Sequence, residues 1–179
     1  MTAEEWLSVE DDASRSSRSA RLEFVVQASG PPSNMLIPGG FVPARALVEA
    51  KWSYINGQFL ACIMLCQAML EHVLAGQFTL MGKDALIKKG FERLCDEALA
   101  DHLISPSEHR AFSNLRLLRN PYVHPKRMND PTRLERRMMT EKRSQEEIVE
   151  DDARRALLAV LRLMDRYPFS FASDTEPSG

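Results

Sequence analysis

The feature that most constrains this chain is a stretch near its middle that is apolar on almost every side of a helix. Over residues 58–78, Phe59, Ile63, Cys66, Leu70 and Leu74 recur at spacings of four, three, four and four, which places them on one face of a helix. Leu60, Met64 and Gln67 form a second, mostly apolar face. A helix apolar nearly all round must be covered on most sides. The chain is therefore expected to build a bundle with this segment running through its middle.

The neighbouring segments supply the cover. Residues 44–55 read as a helix closed by Asn56-Gly57, a pair that ends helices readily. A further helix is expected from Lys83 to Asp101, with Ile87, Phe91, Leu94 and Ala98 on one stripe. Ser105-Pro106-Ser107-Glu108 combines a capping serine, a proline at the first helical position and a glutamate at the third, a strong start signal. That helix points Phe112, Leu115 and Leu118 inward. It is expected to stop or kink at Pro121, which has no N–H and clashes with the carbonyl four residues back. A polar loop over 125–145 and a last helix over 146–166, packing through Ala153, Leu157, Val160 or Leu161 and Met164, complete an all-α bundle of about five helices. Trp52 is expected to anchor the first of them in the core.

The ends read differently. Residues 1–43 hold acidic residues, a Ser/Arg stretch and then Gly30, Pro31, Pro32, Pro38, Gly39, Gly40 and Pro43, the pattern of an irregular arm with at most one short element. The domain spans 44–168, and 169–179 read as a flexible tail. With 179 residues there is room for one domain with a core of its own. The longest uninterrupted apolar run, Phe59 to Cys66, is far short of the ~20 residues of a spanning helix. The acidic N-terminus lacks a signal pattern. Both point to a cytoplasmic protein without a membrane partner. Cys62, Cys66 and Cys95 are odd in number and lack C-x-x-C spacing, so they read as core residues, not as a disulfide framework or metal site. His72, His102 and His109 also lack ligand spacing, and Met138, Met139 and Met164 read as packing residues. Neither a metal nor another cofactor is expected.

The chemistry is concentrated in Leu118-Arg119-Asn120-Pro121-Tyr122-Val123-His124-Pro125. Arg119 offers a fixed fork of donors suited to phosphate. His124, after the proline, suits proton transfer near neutral pH. At one helix end the two could bind a phosphodiester and move protons around it; equally, cationic side chains at a helix C-terminus serve as caps. Between residues 110 and 143 stand ten basic and three acidic residues, whereas the whole chain carries −2. Arg116, Lys126, Arg127, Arg133, Arg136 and Arg137 from that segment are candidates for binding a polyanion such as RNA. The alternative is a solvated surface loop.

Two stretches resemble the HEPN superfamily (higher eukaryote and prokaryote nucleotide-binding domains). One is Arg119-Asn120 followed by His124, similar to the family's Arg, polar residue and His at the end of a core helix. The other is Ala50-Lys51-Trp52-Ser53-Tyr54-Ile55-Asn56-Gly57-Gln58-Phe59 leading into a helix with Ala68-Met69-Leu70-Glu71, similar to the first two helices of stand-alone bacterial members. The resemblance covers roughly residues 44–166. It implies a homodimer with the Arg/His motifs facing each other and metal-independent RNA cleavage of the defence or toxin type. In that scheme His124 assists attack of the ribose 2′-OH, Arg119 stabilises the transition state and Asn120 orients Arg119 or the phosphate. Glu71 would hold Arg119, the alternative being a plain surface glutamate. Tyr122 lies inside the motif, whereas the tyrosine that antitoxins modify in some members falls two residues beyond the His, where this chain has Lys126. An antitoxin or regulatory protein is a possible partner. The family also includes non-catalytic members that dimerise and bind nucleotides or partner proteins, which is the alternative reading.

Overall fold

A computed structural model of the chain describes residues 1–30 and 37–164. The described residues are all-α, with no strand and seven α-helices: α1 Ala3–Ser29, α2 Phe41–Ile55, α3 Phe59–Leu80, α4 Phe91–Ala100, α5 Pro106–Val123, α6 Leu134–Glu141 and α7 Gln145–Met164. The expected tail at 169–179 and the last residues of the expected domain lie outside the described residues, as do Pro31 and Pro32.

α3 is the axis of the bundle. Ile63, Cys66, Leu70 and Leu74 are fully buried, and so are Cys62, Met69, Val73 and Phe78 on its other sides. It packs against α2, α4, α5 and α7. Taken as a whole helix, α3 is long and apolar enough to cross a membrane by length and composition, with a mean hydropathy of 1.7 over its most apolar window, and half of that window is buried by other helices. The uninterrupted run Phe59 to Cys66 understates this, because Gln67, Glu71 and His72 break the run without ending the helix.

α2 meets α3 through a tight reversal. Gln58 N–H donates to the Ser53 carbonyl at 2.8 Å and Gly57 N–H to that of Tyr54 at 3.1 Å, with Gly57 at φ 75°. This pair of bonds satisfies the last carbonyls of α2, and the left-handed position favours glycine. The inward stripe of α2 is Ala46, Leu47, Ala50, Ser53 and Tyr54. Trp52 falls off that stripe and is 56% exposed, so it does not anchor the core. Tyr54 does so, 2% exposed, with its ring 5.4 Å from that of Phe24 and 5.9 Å from that of Phe59. Further along α3, Gly76 lies against the backbone of Pro38 and Gly39, where a Cβ would collide with main-chain atoms.

Residues 3–29 are a helix, not an irregular arm. Thr2 and Glu5 form a capping box, and exposed pairs such as Arg15–Asp12 and Arg18–Asp11 line its first half. Only Val25 is buried. With so few apolar positions there is no periodicity to read, and intrahelical charge pairs carry the element instead. Its second half docks through Arg21, which pairs with Glu150 at 3.1 Å and lies 4.9 Å from the centre of the Phe59 ring.

Two further boundaries differ. Asp84–Leu86 form a 3₁₀ turn, and α4 begins only after Gly90, so Ile87 lies outside the stripe and is 42% exposed. The polar stretch 125–145 contains α6, an amphipathic helix that packs Leu134 against the core and sends a charged residue, Arg137, inward. Of the three methionines read as packing residues, Met164 is buried but Met139 is 72% exposed.

All three cysteines are buried free thiols. Burial, followed by the nearby Asp96 carboxylate, pushes Cys95 up to about 12. Its contact with Cys62, together with burial, raises Cys66 well above the ordinary thiol range. Inaccessible thiols with little thiolate are unreactive. Ellman's reagent at pH 8 is therefore expected to find no fast-reacting thiol in the native protein and three in urea; a thiol that reacts at once in the native state would contradict this packing.

Candidate functional site

The site is built on the last turn of α5. That helix starts at the Ser105–Glu108 capping box expected from the sequence. It runs through Pro121 and ends at Val123, with His124 N–H donating to the Asn120 carbonyl at 2.9 Å. His124 has φ −111° and ψ 125°, the extended conformation required of a residue before proline. The helix is therefore stopped by Pro125, four residues later than a stop at Pro121 would place it. That extra turn keeps His124 close to Arg119.

Arg119 Nη1 lies 3.4 Å from His124 Nε2. A guanidinium can only donate, so this contact belongs to the state in which His124 Nε2 is an unprotonated acceptor. Both residues, with Asn120, line a groove of ≈ 590 Å³ together with Arg116, Gln67 of α3 and the first turn of α4. The other arginines of the groove are committed: Arg116 pairs with Glu92 at 2.6 Å and Arg93 with Glu97 at 2.5 Å. Asp96, also at the groove, meets His109 at 2.9 Å. Among the described residues Arg119 pairs with no carboxylate. An unneutralised guanidinium beside an imidazole, at an open groove, suits a phosphate and a proton transfer next to it.

The supporting residues sit elsewhere. Glu71 is half-buried, with its charge felt by Cys95 on α4; among the described residues no hydrogen bond or ion pair joins it to Arg119. The α3 side chain that lines the groove is Gln67, one helical turn earlier. Tyr122 points away from the motif, its hydroxyl donating to Asp152 Oδ2 at 2.7 Å. Burial first, then that hydrogen bond, holds its phenol well above the ordinary range.

Asp152 went unnoticed in the sequence. It is fully buried in α7 and is gripped at both oxygens by Arg137, at 2.5 and 3.0 Å, while Arg137 also reaches Glu141 at 3.0 Å. One signal was present: Asp152 stands four residues after Ile148 and four before Ala156, in the apolar stripe of α7. A charge there requires a partner.

The basic segment is correspondingly less free than its composition suggests. Arg133 pairs with Glu135, Arg143 with Glu141 and Asp151, and Arg116 and Arg137 are held as described. Lys126, Arg127 and Arg136 make no ion pair among the described residues. Among those residues, too, no three His, Cys, Asp or Glu side chains gather where they could hold a metal ion. The chain matches no family model, no curated protein and no solved structure.

The two adjacent arginines should separate in a stability test. Arg137→Ala leaves a buried carboxylate without its charge partner, a loss of roughly 3 kcal/mol or more, whereas Arg136→Ala on the exposed side of α6 should stay within about 0.5 kcal/mol of wild type. Urea denaturation measures both; equal effects would show that Arg137 does not hold Asp152.

Proposed function

We propose that this chain is a metal-independent endoribonuclease of the HEPN type that acts as a homodimer. The observation that carries the reading is Arg119, free of any carboxylate partner among the described residues, within 3.4 Å of His124 at an open groove. His124 Nε2 takes the proton of a ribose 2′-OH, and the 2′-oxygen attacks the adjacent phosphorus. The P–O5′ bond breaks, leaving a 2′,3′-cyclic phosphate on one fragment. The departing 5′-oxygen takes a proton from the imidazolium of a second copy's His124. Arg119 offsets the charge that accumulates on the non-bridging oxygens, where a preorganised donor is most effective. Val123, 38% exposed and one helical turn after Arg119, gives the same helix an apolar side chain beside the motif for the second copy. Lys126, Arg127 and Arg136 remain available to the RNA backbone.

A second reading is favoured by the number of paired arginines. With Arg116, Arg133, Arg137 and Arg143 engaged in ion pairs, the surface suits a compact nucleotide as well as a long strand. On that reading the chain is a non-catalytic dimerising module that binds nucleotides or a partner such as an antitoxin.

Cleavage of a fluorogenic RNA separates the two. The nuclease reading expects activity that persists in EDTA, cyclic phosphate ends, and loss of ~10²–10⁴-fold in rate on His124→Ala or Arg119→Ala, with both variants folded. Light scattering should give a dimer mass at tens of micromolar. Full activity in His124→Ala would assign the cleavage to another site or a contaminant, and a monomer would rule out the two-copy mechanism.

A further inference from the structure

The groove beside Arg119 and His124 has a second polar wall that the cleavage chemistry does not use. α4 enters it end-on. Its N-cap is Gly90, which supplies no side-chain acceptor, so the N–H groups of Phe91, Glu92 and Arg93 have no acceptor among the described residues. Gly90, Phe91, Glu92 and Arg93 all line the groove. A helix N-terminus with unsatisfied N–H groups is a natural seat for an anion. The other wall carries the second observation. Gln67, only 8% exposed, reaches the same groove from α3, and its Oε1 is buried without a hydrogen-bond partner. A buried amide oxygen left unpaired is destabilising, and no partner among the described residues offsets it.

We propose that the α4 N-terminus, with Arg116 and Gln67, forms a nucleotide subsite adjoining the Arg119–His124 pair. The free N–H groups take a phosphate, and the Gln67 amide oxygen takes an O–H or N–H of the attached sugar or base. The ligand must carry both groups, because an anion without an O–H, such as sulfate, offers the amide oxygen no donor. Glu92 holds Arg116 at 2.6 Å, and the incoming phosphate replaces that carboxylate as the partner of the guanidinium. This deepens the nuclease reading by giving the site a place for the nucleotide next to the scissile one, and it serves the nucleotide-binding reading equally.

The test uses Gly90→Asp, Gln67→Leu and Glu92→Gln in the full chain. Gly90 has φ −59° and ψ 164°, open to any residue, and a Cβ there meets nothing within 4 Å. An aspartate would cap α4 with its own carboxylate and so occupy the anion seat without loss of stability. Calorimetric titration with sulfate, adenosine 5′-monophosphate and an uncleavable 2′-O-methyl RNA tetramer reads the outcome. Gly90→Asp should weaken all three about tenfold while Tm holds or rises. Gln67→Leu should weaken the nucleotide and the tetramer but not sulfate, and Glu92→Gln should tighten all three. Tetramer binding much stronger than mononucleotide binding assigns the subsite to a strand; the reverse assigns it to a free nucleotide. Unchanged affinities in Gly90→Asp and Gln67→Leu would overturn the subsite, even if the wild type cleaves RNA. Gly90-sensitive nucleotide binding in a wild type that cleaves nothing would keep the subsite and remove the nuclease reading.

Discussion

A single buried carboxylate ties the C-terminal half of this protein together. Asp152 stands in the apolar stripe of α7 with no exposure to solvent, where an unpaired charge would cost several kcal/mol. Arg137 neutralises it through a two-point grip, and Tyr122 supplies a third donor. These contacts come from two separate elements: Arg137 belongs to α6, which buries no residue of its own, and Tyr122 to the last turn of α5. Satisfying one carboxylate thus fixes α6 on the bundle and sets the rotation of the α5 end about its axis. With Tyr122 turned toward α7, Arg119 and His124 are left facing the groove on another side of the helix.

The groove itself follows from how helices end. Pro125 forces His124 into an extended conformation and terminates α5 where the imidazole can meet Arg119. Gly90 begins α4 without a side-chain cap and leaves its N–H groups facing the same space. α3, otherwise largely apolar, contributes the amide of Gln67. Each of these is a local backbone or capping choice, and together they gather three arginines, one histidine and a helix N-terminus around one opening. Carboxylates already hold two of the arginines, so Arg119 carries the charge that a ligand would meet.

Much of the fold could be read from residue order because its main signals are local. The spacing of Phe59, Ile63, Cys66, Leu70 and Leu74 located α3, the Ser105–Glu108 box located the start of α5, and Asn56-Gly57 located the turn before α3. What escaped was either charged or distant in sequence. α1 is held by charge pairs and buries one residue, so it leaves no apolar stripe. α6 is organised by Arg137 reaching across 15 residues to Asp152, a partnership invisible to a window of periodicity. Within the site, Arg119, Asn120 and His124 were legible because they lie within one short stretch. The α3 contribution was placed one turn too far, at Glu71 instead of Gln67, since the facing residue depends on how α3 and α5 cross. The uncapped start of α4 was hidden by reading Lys83 to Asp101 as one continuous helix.

In the proposed mechanism Arg119 and His124 act together on a phosphoryl group in flight, not merely on a bound anion. Binding of a uridine–vanadate complex, whose trigonal-bipyramidal vanadium resembles the phosphorane, tests this directly against binding of uridine 3′-monophosphate. A site complementary to the transition state binds such an analogue at least ~10²-fold more tightly than the ground-state nucleotide. The proposed mechanism predicts that preference in the wild type and its collapse in both Arg119→Ala and His124→Ala. Equal affinity for the two ligands in the wild type would contradict it and leave the groove a nucleotide-binding site without catalysis.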